Sequence, residues 1–167
     1  MLMEPKTYRA ILDHAGSLRA PSGLDPILLL MALAAVESSG GFNNQPRVEP
    51  AYRPGGRYCN QALYEKYGDD AAASWGPLQI MFVTARELGY QGTPQDLAEP
   101  SVSVPLAIAL INRRIVGRGA QTLEQIADGY NSGNFRDDKI PAPYIAKVRA
   151  AYADLVANGA EVDDLTS

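Results

Sequence analysis

With 167 residues, 46% of them hydrophobic and 20% charged, the chain has enough apolar material to bury a core and too much to stay disordered. Its 15 basic and 19 acidic residues leave a net charge of −4 without a basic cluster, which argues against nucleic acid as the main partner. One cysteine, Cys59, and one histidine, His14, exclude an internal disulfide and supply too few ligands for a zinc or redox motif unless carboxylates complete it.

Residues 1–20 lack the layout of a signal peptide, because Arg9, Asp13, His14 and Arg19 interrupt any apolar stretch. Glu4 to Leu18 instead predicts an amphipathic helix with Tyr8, Ile11, Leu12 and Ala15 on one face, ended by Pro21-Ser22-Gly23. A second helix over residues 26–38 has Asp25 as N-cap, Pro26 at its first position and the glycines 40 and 41 at its exit. Apolar residues occupy every face of it, the mark of a central core helix. The run from Pro26 to Val36 is far shorter than the about 20 residues that a bilayer requires.

Gly40 to Ser74, with Pro46, Pro50, Pro54 and Gly55-Gly56, reads as an irregular insertion carrying a small hairpin near Arg47 to Tyr52 and a short helix from Asn60 to Tyr67. Trp75-Gly76-Pro77 is expected to open a helix over Leu78 to Leu88 that Gly89 closes. Thr93-Pro94-Gln95-Asp96 has the form of a capped helical turn. Val104, Ala107, Ile108, Ile111 and Ile115 fall at helical spacing within Ser101 to Val116. Thr122 to Gln125 has capping-box form and starts a helix running into Tyr130-Asn131-Ser132-Gly133. A last helix begins near Pro143 and turns Tyr144, Ile145, Val148, Tyr152 and Leu155 inward, and the tail over 159–167 is expected to fray. The sum is an all-α fold, α+β at most through the small hairpin, in one domain whose core spans about 24–155 with the insertion at 40–74.

Glu37 closes the apolar helix. A carboxylate there sits in low dielectric and faces the negative end of the helix dipole, and both disfavour its charge. Such a group keeps its proton near neutral pH and can donate it to a leaving-group oxygen. Three further motifs follow in order: Gly76-Pro77-Leu78-Gln79-Ile80, Gly129-Tyr130-Asn131-Ser132-Gly133, and Pro143-Tyr144-Ile145-Ala146-Lys147-Val148.

This series, from about Leu24 to Leu155, resembles the lysozyme-like catalytic domain of soluble lytic transglycosylases, a family that also holds goose-type lysozymes. The resemblance implies Glu37 as the single catalytic acid, Gln79 lining a sugar cleft, Tyr130 and Asn131 facing the acid, and Tyr144 holding its surroundings. Ser38 follows the acid, as in the family, and Ser38, Trp75 and Tyr144 join Gln79, Tyr130 and Asn131 as candidate substrate-binding residues. Pro77-Leu78 stands where the family has Leu-Met, Gly129 where it has Ala, and the stretch between Glu37 and Gln79 is longer than in compact members. The implied reaction cleaves the bond between N-acetylmuramic acid and N-acetylglucosamine in peptidoglycan and leaves 1,6-anhydro ends, with no cofactor and no metal. A goose-lysozyme-like muramidase needs a second carboxylate, for which Glu49, Asp69 and Asp70 in the insertion are the candidates. A non-catalytic glycan-binding module of a phage or secretion apparatus is the reading from another class.

Trp75 is a candidate for stacking on a sugar or for plugging the core. Tyr52, Tyr58, Tyr64 and Tyr67 could line a glycan groove or pack the insertion. Arg113, Arg114 and Arg118 are expected to be solvated at a helix end. A monomer acting on glycan strands in the cell wall or periplasm is expected, delivered by a phage or through a holin pore, or excised from a longer exported protein.

Overall fold

The computed structural model describes residues 1–137 and 142–162. In chain order its helices are α1 (Pro5–His14), α2 (Pro26–Ser38), α3 (Gln61–Tyr67), α4 (Phe82–Glu87), α5 (Pro100–Leu110), α6 (Leu123–Ser132) and α7 (Ala142–Asn158). Five short strands accompany them: β1 (Leu2–Met3), β2 (Arg47–Val48), β3 (Ala73–Trp75), β4 (Ile80–Met81) and β5 (Glu161–Val162).

Helix α2 forms as its residue types dictate. The Asp25 carboxylate accepts from the backbone N–H groups of Ile27 at 2.8 Å and Leu28 at 3.1 Å, and Pro26 occupies a position whose N–H has no helical partner. Leu29, Leu30, Ala32, Leu33 and Ala34 are wholly buried, and α2 packs mainly along α7. Each buried leucine contributes roughly 1.5–3 kcal/mol by leaving water. The main core joins α1, α2, α5, α6 and α7, and Leu78 from the turn between β3 and β4 reaches into it. A second cluster gathers Ala71, Ala73, Trp75, Ile80, Phe82, Ala85 and Leu97 around the insertion and α4.

Helix α1 is shorter than Glu4 to Leu18 and passes into a 3-10 turn over Ala15–Ser17. Its buried face is Thr7, Ala10 and Ile11, so Leu12, expected inward, is 38% exposed. Helix α5 runs into a π turn over Ile111–Ile115, which keeps Ile111 and Ile115 buried.

Three expectations require correction. The insertion holds no hairpin closed within Arg47 to Tyr52: β2 pairs antiparallel with β3, Arg47 opposite Ser74, and Pro50–Tyr52 is a 3-10 turn. The helix expected from Leu78 starts at Phe82, because Gly76 at φ +77° and Gln79 at φ +49° turn the chain back on itself, so β3 pairs with β4, Trp75 opposite Ile80. The Gly-Pro pair serves a hairpin turn rather than a helix start. The tail does not fray directly after Asn158: Glu161 and Val162 form β5, parallel to β1, and the Met1 carbonyl accepts from Glu161 N–H at 2.7 Å. The rest of the expected tail, 163–167, lies outside the described residues.

Candidate active site

Glu37 lies in the last turn of α2, and the chain beyond it is shaped to leave the helix abruptly. Ser39 is left-handed at φ 54°, its N–H reaching Ala35 O at 3.1 Å and that of Gly40 reaching Ala34 O at 3.0 Å, a helix stop that satisfies terminal carbonyls. Gly40 and Gly41 both have positive φ, and a Cβ on Gly41 would overlap the Thr7 side chain, so the exit fits only without side chains there. Ser38 is buried, and its hydroxyl lies 2.7 Å from Pro77 O and 3.1 Å from Ala34 O while accepting from Gly41 N–H at 2.9 Å. The helix end is thereby fastened to the turn between β3 and β4.

That turn is held from a second direction. The Tyr130 hydroxyl, from α6, donates to Leu78 O at 2.6 Å. Inside the turn, Gln79 uses its own amide: Nε2 donates to Gly76 O at 2.9 Å and Gln45 O at 3.3 Å, and Oε1 accepts from Ser74 Oγ at 2.8 Å. With both N–H groups engaged, Gln79 retains one acceptor lone pair for a ligand. Gly76 at φ +77° has Leu97 O only 2.6 Å from where a Cβ would stand.

Helix α7 completes the arrangement by bringing the Tyr144 hydroxyl to donate to Glu37 Oε1 at 2.6 Å. Strand β2 brings Arg47, whose Nη2 donates to the Glu37 backbone carbonyl at 2.6 Å. Burial raises the Glu37 carboxyl above its ordinary value, and the Tyr144 hydrogen bond and the Arg47 charge pull against it without cancelling it. Burial first, and then the Glu37 charge, pushes the phenols of Tyr130 and Tyr144 up, so both remain hydrogen-bond donors. The four motifs that stand apart in the sequence are thus joined by three side-chain hydrogen bonds.

Glu37 opens on a cleft of about 940 Å³, and Gln79, Tyr130 and Asn131 line it too. Three residues expected to touch substrate do not line the cleft. Ser38 is 1% exposed and closes the helix; Trp75 is 6% exposed, packs in the second cluster and donates from Nε1 to Asp70 O at 3.1 Å. Tyr144 reaches the site through Glu37 and is not on the cleft wall.

Of the three carboxylates considered as a second acid, Asp69 and Asp70 lie away from the cleft lining. Asp69 is held by Arg53 through two hydrogen bonds and by Tyr64, which bring its carboxyl down to about 2, and it lies off the cleft. Asp70 accepts from Gln95 at 2.6 Å, also off the cleft. Glu49 does line the cleft, exposed to solvent.

Sequence reading overlooked Arg47, Glu87 and Arg114. Glu87 and Arg114 both line the cleft and pair at 2.8 Å, so Arg114 is not simply solvated at a helix end. They come from α4 and the π turn, and no local pattern connects them. The tyrosines divide: Tyr52 and Tyr58 face the cleft, Tyr64 binds Asp69, and Tyr67 packs edge-on against Phe82. Among the described residues no cluster of three or more His, Cys, Asp or Glu could hold a metal ion.

Residues 22–146 match the family model described as the Transglycosylase SLT domain. No curated protein and no solved structure matched the chain. With most of its length covered by that match and a mostly helical, lysozyme-like fold around Glu37, the chain belongs to the transglycosylase SLT family, whose substrate is peptidoglycan.

Proposed function

We propose that the protein is a lytic transglycosylase that cleaves the β-1,4 bond between N-acetylmuramic acid and N-acetylglucosamine with Glu37 as its one acid and base. The observation that carries this reading is the Glu37 carboxyl, lifted by burial, steadied by Tyr144 and open to a cleft of about 940 Å³. Protonated Glu37 gives its hydrogen to the glycosidic oxygen as the C1–O bond breaks. The neighbouring N-acetyl oxygen of the same muramic residue shares the positive charge at C1. The sugar's own 6-hydroxyl then attacks C1 and returns a proton to Glu37, which closes the 1,6-anhydro ring and restores the acid.

This scheme suits a cleft whose other lining carboxylates are differently disposed. Glu87 is engaged with Arg114, and Glu49 is exposed on the insertion. Digestion of purified sacculi followed by mass spectrometry of the muropeptides tests the proposal: anhydro ends are expected. Ends that have taken up water instead assign the protein as a muramidase, with Glu49 as the carboxylate to mutate next. No cleavage of sacculi at all leaves a glycan-binding module.

We further propose that the protein acts where glycan strands are exposed, in the wall or periplasm. Among the described residues no helix is long and apolar enough to cross a membrane.

A further inference from the structure

The cleft wall built by the insertion carries an aromatic pair that the proposed chemistry leaves unused. Tyr58 is 51% exposed, and it lines the same cleft as Glu37 together with Tyr52 and Arg57. One exposed aromatic side chain is ordinary, but here the loop that presents it is firmly built. Tyr58 N–H donates to Ala51 O at 2.8 Å, Gly56 N–H to Arg53 O at 2.8 Å, and Tyr52 N–H to Glu49 O at 2.9 Å. Arg53 grips Asp69 with both Nε and Nη2, at 2.9 and 2.7 Å. Gly56 leaves no room for a Cβ against the Ala51 carbonyl, so the loop closes on itself tightly.

The rings are also arranged. Tyr52 and Tyr58 have centroids 5.4 Å apart and planes tilted by 38°, and the Arg57 guanidinium lies 5.5 Å from the Tyr58 centroid. A half-buried ring thus braces an exposed one, with a cation beside it.

We propose that Tyr52, Tyr58 and Arg57 form a sugar-stacking subsite that takes an N-acetylhexosamine ring of the glycan away from the bond Glu37 cleaves. The inference rests on reading the cleft as a glycan site. A β-1,4-linked pyranose carries its substituents equatorially and shows axial C–H groups on its faces, an apolar surface that lies flat on an aromatic ring. Tyrosine loses little conformational freedom when it makes such a contact. Arg57 offers guanidinium N–H donors to the ring hydroxyls and the acetamido oxygen.

Titration calorimetry with the β-1,4-linked hexamer of N-acetylglucosamine, which carries no peptide, tests this in a Glu37→Gln background chosen to suppress cleavage. Adding Tyr58→Ala should weaken binding by about 2- to 12-fold, the range of an aromatic contact. Tyr58→Trp should restore affinity, and its fluorescence should change as the hexamer binds. Equal affinity of the Ala variant, or no binding of the hexamer by the Glu37→Gln protein, overturns the proposal. Weakening confined to peptide-bearing fragments overturns it too, since the pair would then serve the peptide. Tyr58-dependent hexamer binding by a protein that forms no anhydro ends would remove only the proposed reaction. Anhydro ends with Tyr58-independent binding would remove only the subsite.

Discussion

Glu37 carries two opposed demands, and its amide variant separates them. Glu37→Gln should lower cleavage of sacculi by about 100- to 10,000-fold, the usual worth of a positioned acid, measured by release of soluble muropeptides. The same variant should be more stable near neutral pH. The folded carboxyl binds its proton more tightly than the unfolded one, so stability falls as pH rises from the ordinary carboxyl value through the raised one. Gln79 and Tyr130 keep their bonds, the variant's amide oxygen can still accept from Tyr144, and the amide has no charge to bury. Chemical denaturation at pH 8 should therefore show the variant to be the more stable, by a margin that closes toward pH 4. On the proposed mechanism activity should follow the same titration and decline as pH passes the raised value. Arg47 holds that value down, so Arg47→Ala should move the declining limb of the pH profile to higher pH. A limb that does not move would show that Arg47 acts only through the Glu37 carbonyl, and because Arg47 is exposed the shift should shrink with added salt.

At the scale of elements, the buried centre of α2 and the turn between β3 and β4 bear different loads. Leu33→Ala, at a wholly buried position, should cost about 3 kcal/mol in denaturant unfolding through lost contacts and the cavity left behind. Gly76→Ala acts through the backbone: φ of +77° and the nearness of Leu97 O and Ser103 should cost about 2 kcal/mol and displace Gln79. Helix α2 was legible because its cap, its first proline and its apolar run are all local signals, and α6 was legible through Thr122, whose hydroxyl caps Gln125 N–H at 3.2 Å. The hairpin was not. Gly76-Pro77 reads equally as a helix start, and only the pairing of Trp75 with Ile80 decides between the two. The partner of β2 was hidden for a similar reason, since Arg47 meets Ser74 across the whole insertion. Glu37, Gln79, Tyr130 and Asn131 stood out because each belongs to a recognisable string, and the structure places all four on one cleft. Ser38 follows Glu37 and Trp75 precedes the string from Gly76 to Ile80, yet both face inward, since sequence adjacency does not say which way a side chain points.

On the scale of the whole molecule, the three bonds that join the motifs span long stretches of chain. Ser38 reaches Pro77 across 39 positions, Tyr130 reaches Leu78 across 52, and Tyr144 reaches Glu37 across 107. Helix α2 needs none of them in order to coil. Contacts so distant close late, because the loop entropy between them must be overcome first. In stopped-flow refolding, helical ellipticity should therefore return before cleavage of glycan does, with activity tracking the slowest phase. A chain still emerging or half assembled would carry Glu37 as an ordinary ionised carboxylate, harmless to any wall it met. On the proposed mechanism the acid is complete only once α7 has set Tyr144 against it, so folding itself would act as the safety catch.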